Sequence, residues 1–396
     1  MRRPSVLLLS CAAAALAAAD LSDATTLGQL ALQKVLQDSR EVFGVESNDS
    51  SRPYANWMSS VPDATPLAHL NIPGTHDAAT WNYSQATQDA LAYATRCDGG
   101  AGPAPAQVYR TQRLGAAAAL DAGVRFFDLR FAFDPMDRDL VFWHGEALLS
   151  ARAAVDDVLF AFYAWLEAHP SEAVLLSFQY EGGTKDGAEF DDAAKDRLRG
   201  ALGSDAAERY VRRDSGRLGT VGESRGKIVL VRRFDMGGGE DEVLPGLHLG
   251  PGQWPDNDRK GFELVYNSTS NETAYVEDYY EPSDLGANST VAENIQAKMG
   301  AVKAHLEKAA GGAVGTNGDG ADSLFITFAS GENDANVPHV FPQTMALGNG
   351  TEVTPDGGVN HQLVKLLREM RGSRLGVVVL DFFDEPAELV GLVLGF

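Results

Sequence analysis

The sequence predicts an irregular (β/α)8, TIM-like α/β barrel forming one domain. Three observations lead there. The chain has 396 residues, 44% hydrophobic and 22% charged, a globular composition at a length that suits one large barrel. Eight short apolar runs recur along it, several as continuous as LGVVVLDFF, the pattern of strands buried on both faces. Helical spacing fills many of the gaps between them, and alternating strands and helices argue for a parallel barrel.

The opening MRRPSVLLLSCAAAALAAAD joins two arginines to a short apolar run and a small-residue stretch, so residues 1–19 read as a secretory signal peptide. That run is too short to span a bilayer, which takes about 20 apolar residues. No later run approaches that length without charges, so the expected product is secreted, extracellular and without a transmembrane anchor. Residues 20–56 read as an N-terminal extension, helical as far as Phe43, followed by the polar ESNDSSRP. The barrel is expected over 57–396. Its predicted strands are Ala68–Pro73, Arg125–Phe133, Leu140–Trp143, Ala173–Tyr180, Lys227–Phe234, Phe262–Tyr266, Leu324–Ala329 and Leu375–Phe383. Predicted helices cover Arg113–Ala122, Val155–His169, Asp191–Leu202, Thr290–Ala309 and His361–Met370. Missing helices around Phe133–Leu140 and Asp235–Phe262 make the barrel irregular, and AAGGAVGTNGDGAD reads as a surface loop.

Cys11 leaves with the signal, so Cys97 alone remains and no internal disulfide is expected. Six Asn-x-Ser/Thr sequons, at Asn48, Asn82, Asn267, Asn271, Asn288 and Asn349, fit a glycoprotein on a eukaryotic secretory route. Net charge is −22, becoming −24 once Arg2 and Arg3 are removed. So acidic a chain is a poor binder of nucleic acid, and any phosphate must be met by locally placed arginines.

Barrel active sites lie at the C-terminal strand ends. There the sequence offers His76 and Asp77 after the first strand, Asp128 and Arg130 in FFDLRF, and His144 in VFWHGE. Glu181, Arg233 and Asp381 stand at later strand ends. Two histidines, arginine and carboxylates suit phosphoryl transfer without a metal. A neutral imidazole takes a proton from an attacking hydroxyl, and a protonated one donates to the leaving oxygen. A guanidinium neutralises the phosphate oxygens, and carboxylates orient the imidazoles. A calcium or magnesium site would want oxygens where Arg130 stands, so neither metal nor cofactor is expected. Other histidines get plainer readings. His69 is structural on the first strand, His169 caps a helix, and His248, His305, His339 and His361 show no flanking partner. The aromatics of AFYAWLEAHP are spaced for a core.

With these residues identified, the chain resembles the bacterial-type phosphatidylinositol-specific phospholipase C family of X-domain-like phosphodiesterases. NWMSSVPDATPLAHLNIPGTHDAAT is similar to that family's opening segment. RFFDLR, WHG, SEAVLLSFQYE, RGKIVLVRRF, WPDN, VEDYY and RLGVVVLDFF follow in order over Trp57 to Phe383. The resemblance implies that His76 is the general base for the inositol 2-hydroxyl, oriented by Asp381. It implies Arg130 on the phosphate, His144 as general acid partnered by Asp77, and Asp128 in support. Glu181, Arg233, Asp278 and Tyr280 fall where the family contacts inositol, and Trp254 in its headgroup region. The implied reaction releases diacylglycerol and inositol 1,2-cyclic phosphate from an inositol phospholipid or glycosyl-phosphatidylinositol at a membrane surface, by a monomer.

Two departures stand out. Gln179 occupies a position where the bacterial enzymes carry a lysine in the inositol pocket. The stretch from Asp77 to Arg130 is long and holds DGGAGPAPAQ, near where the family meets the bilayer; Trp81 is open to lipid contact or packing. Competing functions are a catalytically weak binder of inositol glycolipids and a phosphodiesterase for another headgroup. Both histidines with Asp77, Arg130 and Asp381 favour an enzyme of the first kind.

Overall fold

A computed structural model describes residues 26–45, 54–95, 103–182, 184, 188–311 and 323–396. The signal segment, the sequon at Asn48, Cys97, most of the Gly-rich loop and part of the Gly/Pro insert lie outside the described residues.

The described strands are β1 (Ile72–Thr75), β2 (Phe126–Phe133), β3 (Leu140–His144), β4 (Ala147–Leu148), β5 (Ala173–Tyr180), β6 (Lys227–Arg233), β7 (Leu247–His248), β8 (Phe262–Asn267), β9 (Glu272–Glu277), β10 (Leu324–Phe328) and β11 (Val377–Leu380). Eight form the wall, all parallel, in the order β7-β6-β5-β2-β1-β11-β10-β9. The expected eight-stranded α/β barrel is therefore present, but not with the expected eight strands. Leu140–Trp143 belongs to β3, an antiparallel hairpin arm folded back on the end of β2. Phe262–Tyr266 belongs to β8, antiparallel to β9 at the sheet edge. The wall strands β7 and β9 take the two vacated places. The first strand starts at Ile72, because Leu67–His69 forms a 3-10 turn that takes His69 off it. The last stops at Leu380, before Phe382 turns to a φ of 46°.

The two edge strands, β7 and β8, do not pair with each other. Segment 214–217 fills the seam: Gly216 N–H donates to the Gly246 carbonyl, and Asn267 Nδ2 donates to the Gly216 carbonyl, each at 2.9 Å. Asn267 is a sequon residue whose amide is thereby engaged. Asn82, Asn271, Asn288 and Asn349 are exposed.

The two-residue period of a strand sorts the core. Phe126, Leu175, Val229, Val231, Val276, Val377 and Val379 fill the barrel interior. Phe127, Leu176, Leu230, Val378 and Leu380 face outward onto a shell that includes helices Val155–Ala168 and Val359–Glu369. The extension is tied into this shell. Val42 and Phe43 are buried there, and Phe43 meets Phe162 edge-on at 5.0 Å. Burying side chains of this size contributes about 1.5–3 kcal/mol each. Trp81 Nε1 donates to the Val42 carbonyl at 2.9 Å, so Trp81 packs against the extension.

Candidate active site

The same period that sends Phe126 inward sends Asp128 and Arg130 inward above it, at the mouth. On β5, Ser177 and Gln179 rise above Leu175 in the same way. Register then aligns the strands: Arg130 pairs with Gln179, and Gln179 with Arg233. A guanidinium, an amide and a second guanidinium thus form one row across β2, β5 and β6. Thr75 pairs with Leu380, so the next residues of β1 and β11, His76 and Asp381, meet as neighbours. β3 supplies His144 by running back from the tip of its hairpin towards Arg130.

Asp77 sits at a φ of 41°, a left-handed conformation that a non-glycine residue adopts at a cost of about 1–3 kcal/mol. The surrounding bonds hold it. Ala78 N–H donates to the Asp128 carbonyl at 2.8 Å, and Gln112 Nε2 donates to the carbonyls of both His76 and Leu380 at 2.8 Å. Asn360 Nδ2 does the same for the Asp381 carbonyl at 2.9 Å. Neither Gln112 nor Asn360 carries a sequence signal, since a buried amide looks like any other polar residue until its carbonyls are known.

His76 Nδ1 lies 2.9 Å from Asp381 Oδ1. Burial opposes charge on this imidazole, but the Asp381 carboxylate prevails and raises its pKa to about 9. At the other nitrogen, Arg130 Nη2 stands 2.8 Å from Nε2. A guanidinium only donates, and two cations at that distance would repel. The contact therefore holds His76 neutral, with Nδ1–H donated to Asp381 and Nε2 bare. The raised value already includes the opposing Arg130 charge, so His76 is a strong base whose protonation at Nε2 and contact with Arg130 exclude each other.

His144 is placed differently. Its Nδ1 lies 2.8 Å from the Tyr109 carbonyl oxygen and its Nε2 3.2 Å from Asp77 Oδ2. Burial, with the Arg130 charge beside it, pushes His144 down to about 4. Burial pushes Asp77 up to about 6 against the pull of Arg130. Both ring nitrogens face acceptors, so His144 bonds to both only when the His144–Asp77 pair holds one proton beyond the neutral imidazole's own.

Arg130 organises the rest. Its Nε is 3.3 Å from Asp77 Oδ2 and 3.4 Å from Asp128 Oδ2, and its Nη1 is 3.9 Å from Glu181 Oε1. Asp128 also receives Arg233 at 3.4 Å; burial would raise its pKa, but the two guanidinia hold it below the usual carboxylate value. His76, Asp77 and Asp128 bring ligand atoms within 4.8 Å of one another, a spacing that could suit a cation. The Arg130 guanidinium stands among them, and a divalent ion there would face its fixed positive charge.

These residues open onto a cavity of about 700 Å³. Arg233 lies over the Trp254 ring at 3.8 Å, and Trp254 Nε1 donates to Asp278 at 2.9 Å. Tyr280 donates to Asp256 at 2.7 Å, and Gln179 Nε2 to Glu181 at 3.2 Å. All twelve candidate residues are thus gathered at one mouth, where Asp77 and Asp128 stand behind the lining and the other ten form it. Sequence reading missed Asp256, Asn257 and Glu332 of the lining. Glu332 stands four residues beyond β10, a strand-end position that the same rule could have flagged. It also missed the partner of His248, whose Nε2 lies 2.8 Å from Asp235, and the burial of His305 against Thr327.

The family model for the phosphatidylinositol-specific phospholipase C X domain matches residues 107–234. The mouse PI-PLC X domain-containing protein 1 is 34% identical over 165 residues, 38% of this chain and 47% of its own length. The 1-phosphatidylinositol phosphodiesterase of Staphylococcus aureus strain Newman is 24% identical over 340 residues, 85% of this chain and 90% of that one. The chain therefore spans about half of the mouse relative and most of the staphylococcal one. Among solved structures, a variant of the S. aureus phosphatidylinositol-specific phospholipase C superposes with a TM-score of 0.62 at 22% identity, covering 87% of this chain and 98% of its own. The Listeria monocytogenes phosphatidylinositol-specific phospholipase C gives 0.56 at 19% identity, covering 86% and 97%. Residues 107–234 thus carry a match to the phosphatidylinositol-specific phospholipase C X domain, and over most of its length the chain is similar to bacterial phosphatidylinositol-specific phospholipases C and shares their barrel.

Proposed function

We propose that this protein cleaves the phosphodiester of phosphatidylinositol or of a glycosyl-phosphatidylinositol by metal-independent acid–base catalysis, acting as a secreted enzyme at a membrane surface. The observation that carries the reading is the division of labour around Arg130. Asp381 holds His76 at 2.9 Å, Asp77 faces His144 at 3.2 Å and His76 at 3.6 Å, and the guanidinium reaches both halves.

In this reading Arg130 turns to the substrate phosphate and releases His76 Nε2. The freed nitrogen takes the proton of the inositol 2-hydroxyl, with Asp381 stabilising the imidazolium. The alkoxide oxygen bonds to phosphorus as the bond to the diacylglycerol oxygen breaks. The proton shared by Asp77 and His144 passes to that leaving oxygen. The products are diacylglycerol and inositol 1,2-cyclic phosphate, and the cation at Arg130 stabilises the charge that builds on phosphorus oxygens. Asp128 braces Arg130 and Arg233. Glu181, Gln179, Arg233, Asp278, Tyr280 and Trp254 receive the polyol ring. Among the described residues no helix is long and apolar enough to cross a membrane.

The test is an assay of purified protein on radiolabelled phosphatidylinositol and on a protein held by a glycosyl-phosphatidylinositol anchor. Release of labelled cyclic phosphate or of the anchored protein supports the reading. Tight binding of inositol lipids without turnover would favour a lipid-binding relative instead.

A further inference from the structure

Glu332 lines the cavity beside the proposed base and has no role in the chemistry above. Its backbone is fixed at two points. Its N–H donates to the Tyr280 carbonyl at 2.9 Å, and the preceding Gly331 N–H donates to Asp381 Oδ2 at 3.3 Å. Gly331 is required there, since a Cβ would lie 2.6 Å from the Tyr280 carbonyl oxygen. The chain is thereby locked between a carboxylate that orients His76 and a residue of the ring-binding face. No hydrogen bond or ion pair engages the Glu332 carboxyl among the described residues.

We propose that Glu332 is a further substrate-binding residue, whose carboxyl takes a hydroxyl of the polyol ring close to the one that His76 deprotonates. This rests on the proposed reading of the site. This carboxyl stands at a half-buried cavity wall, open to a partner from the cavity, and a hydroxyl supplies both a donor and an acceptor. The titratable groups around it are Asp334 on its own loop, Glu281 on the adjoining one, Asp381 after β11 and His76 after β1. Burial, with these carboxylates outweighing His76, pushes Glu332 up to about 8. It therefore meets the ring as a neutral acid near pH 7, without repelling the phosphodiester anion, and becomes a repelling carboxylate in alkali.

The experiment compares Glu332→Ala and Glu332→Gln with the unmodified protein, all checked for folding by circular dichroism. Two readouts are taken: steady-state cleavage of a soluble inositol phosphodiester from pH 6 to 9, and calorimetric binding of inositol 1-phosphate. For Glu332→Ala, KM and the dissociation constant should rise about ten-fold with kcat within about two-fold, the loss of roughly one hydrogen bond. Glu332→Gln, which still donates and accepts, should recover most of this loss and lack the rise in KM expected of the unmodified protein above pH 8. Unchanged KM and binding in Glu332→Ala would overturn the assignment. If the unmodified protein binds inositol 1-phosphate but cleaves nothing, the catalytic reading fails while the binding comparison still decides the role of Glu332.

Discussion

His76 Nδ1 and Asp381 Oδ1 are 2.9 Å apart, joined across the β1–β11 pairing that makes their strand ends neighbours. Burial and the nearby Asp77 raise the Asp381 pKa, while His76 pulls it down without reversing it. Asp381→Asn keeps the shape and removes the anion that stabilises imidazolium. Turnover should fall about 10²-fold or more while thermal unfolding changes little. An unchanged rate on folded protein would show that the pair takes no part.

Because Arg130 occupies the space among Asp77, Asp128 and Glu181, activity should survive excess EDTA unchanged. Arg130→Lys should lose most activity, since one ammonium cannot serve phosphate and carboxylates as a planar fork does. Loss of turnover on chelation, restored by calcium, would contradict the metal-free reading.

Asp77 carries a stability cost in the ionised state. Its pKa is raised by burial from 3.8 to about 6, so the folded protein binds the extra proton between those values. Stability that Asp77 contributes in acid is therefore lost as pH rises through about 6. Asp77→Asn should therefore gain stability over the unmodified protein between pH 4 and 6 and hold that gain above, while losing activity. Melting curves across pH check this, and a deficit at pH 7 would mean that Asp77 is a net stabilising anion.

The row Arg130, Gln179, Arg233 places an uncharged amide between two guanidinia. Gln179→Lys would add a third cation facing Glu181, and an ammonium gives hydroxyls a stronger donor than an amide. Preference for unmodified inositol over altered rings should sharpen, read as the ratio of kcat/KM values. If that ratio stays put, position 179 lies outside the headgroup pocket.

Much of this site was legible because barrel physics turns strand ends into a shortlist. His76, Asp77, Asp128, Arg130, His144, Glu181, Arg233 and Asp381 all followed from that rule, and the family likeness added Gln179, Trp254, Asp278 and Tyr280. The strand list fared less well. β3 is as apolar as a wall strand because its hairpin packs on both faces, and composition does not reveal direction. β9, ETAYVE, hides its apolar face among polar residues, and β7 is two residues long. Eight was the right number through errors that cancelled. Trp81 could not be placed until the extension was seen to pass beside it. Glu332 escaped because a glutamate in SGEND reads as a turn residue unless the end of β10 is known.

In the proposed mechanism His76 and His144 move different protons, and one comparison separates them. Two variants, His76→Ala and His144→Ala, are assayed on inositol phosphate esters of diacylglycerol and of nitrophenol. The diacylglycerol oxygen leaves poorly without a proton, and positioned acid catalysis contributes about 10²–10⁴-fold. Nitrophenolate needs little protonation. His144→Ala should be crippled on the lipid and largely restored on the nitrophenyl ester, while His76→Ala should fail on both because the attacking hydroxyl is the same. Equal losses for His144→Ala on the two substrates, or restoration of His76→Ala, would contradict it.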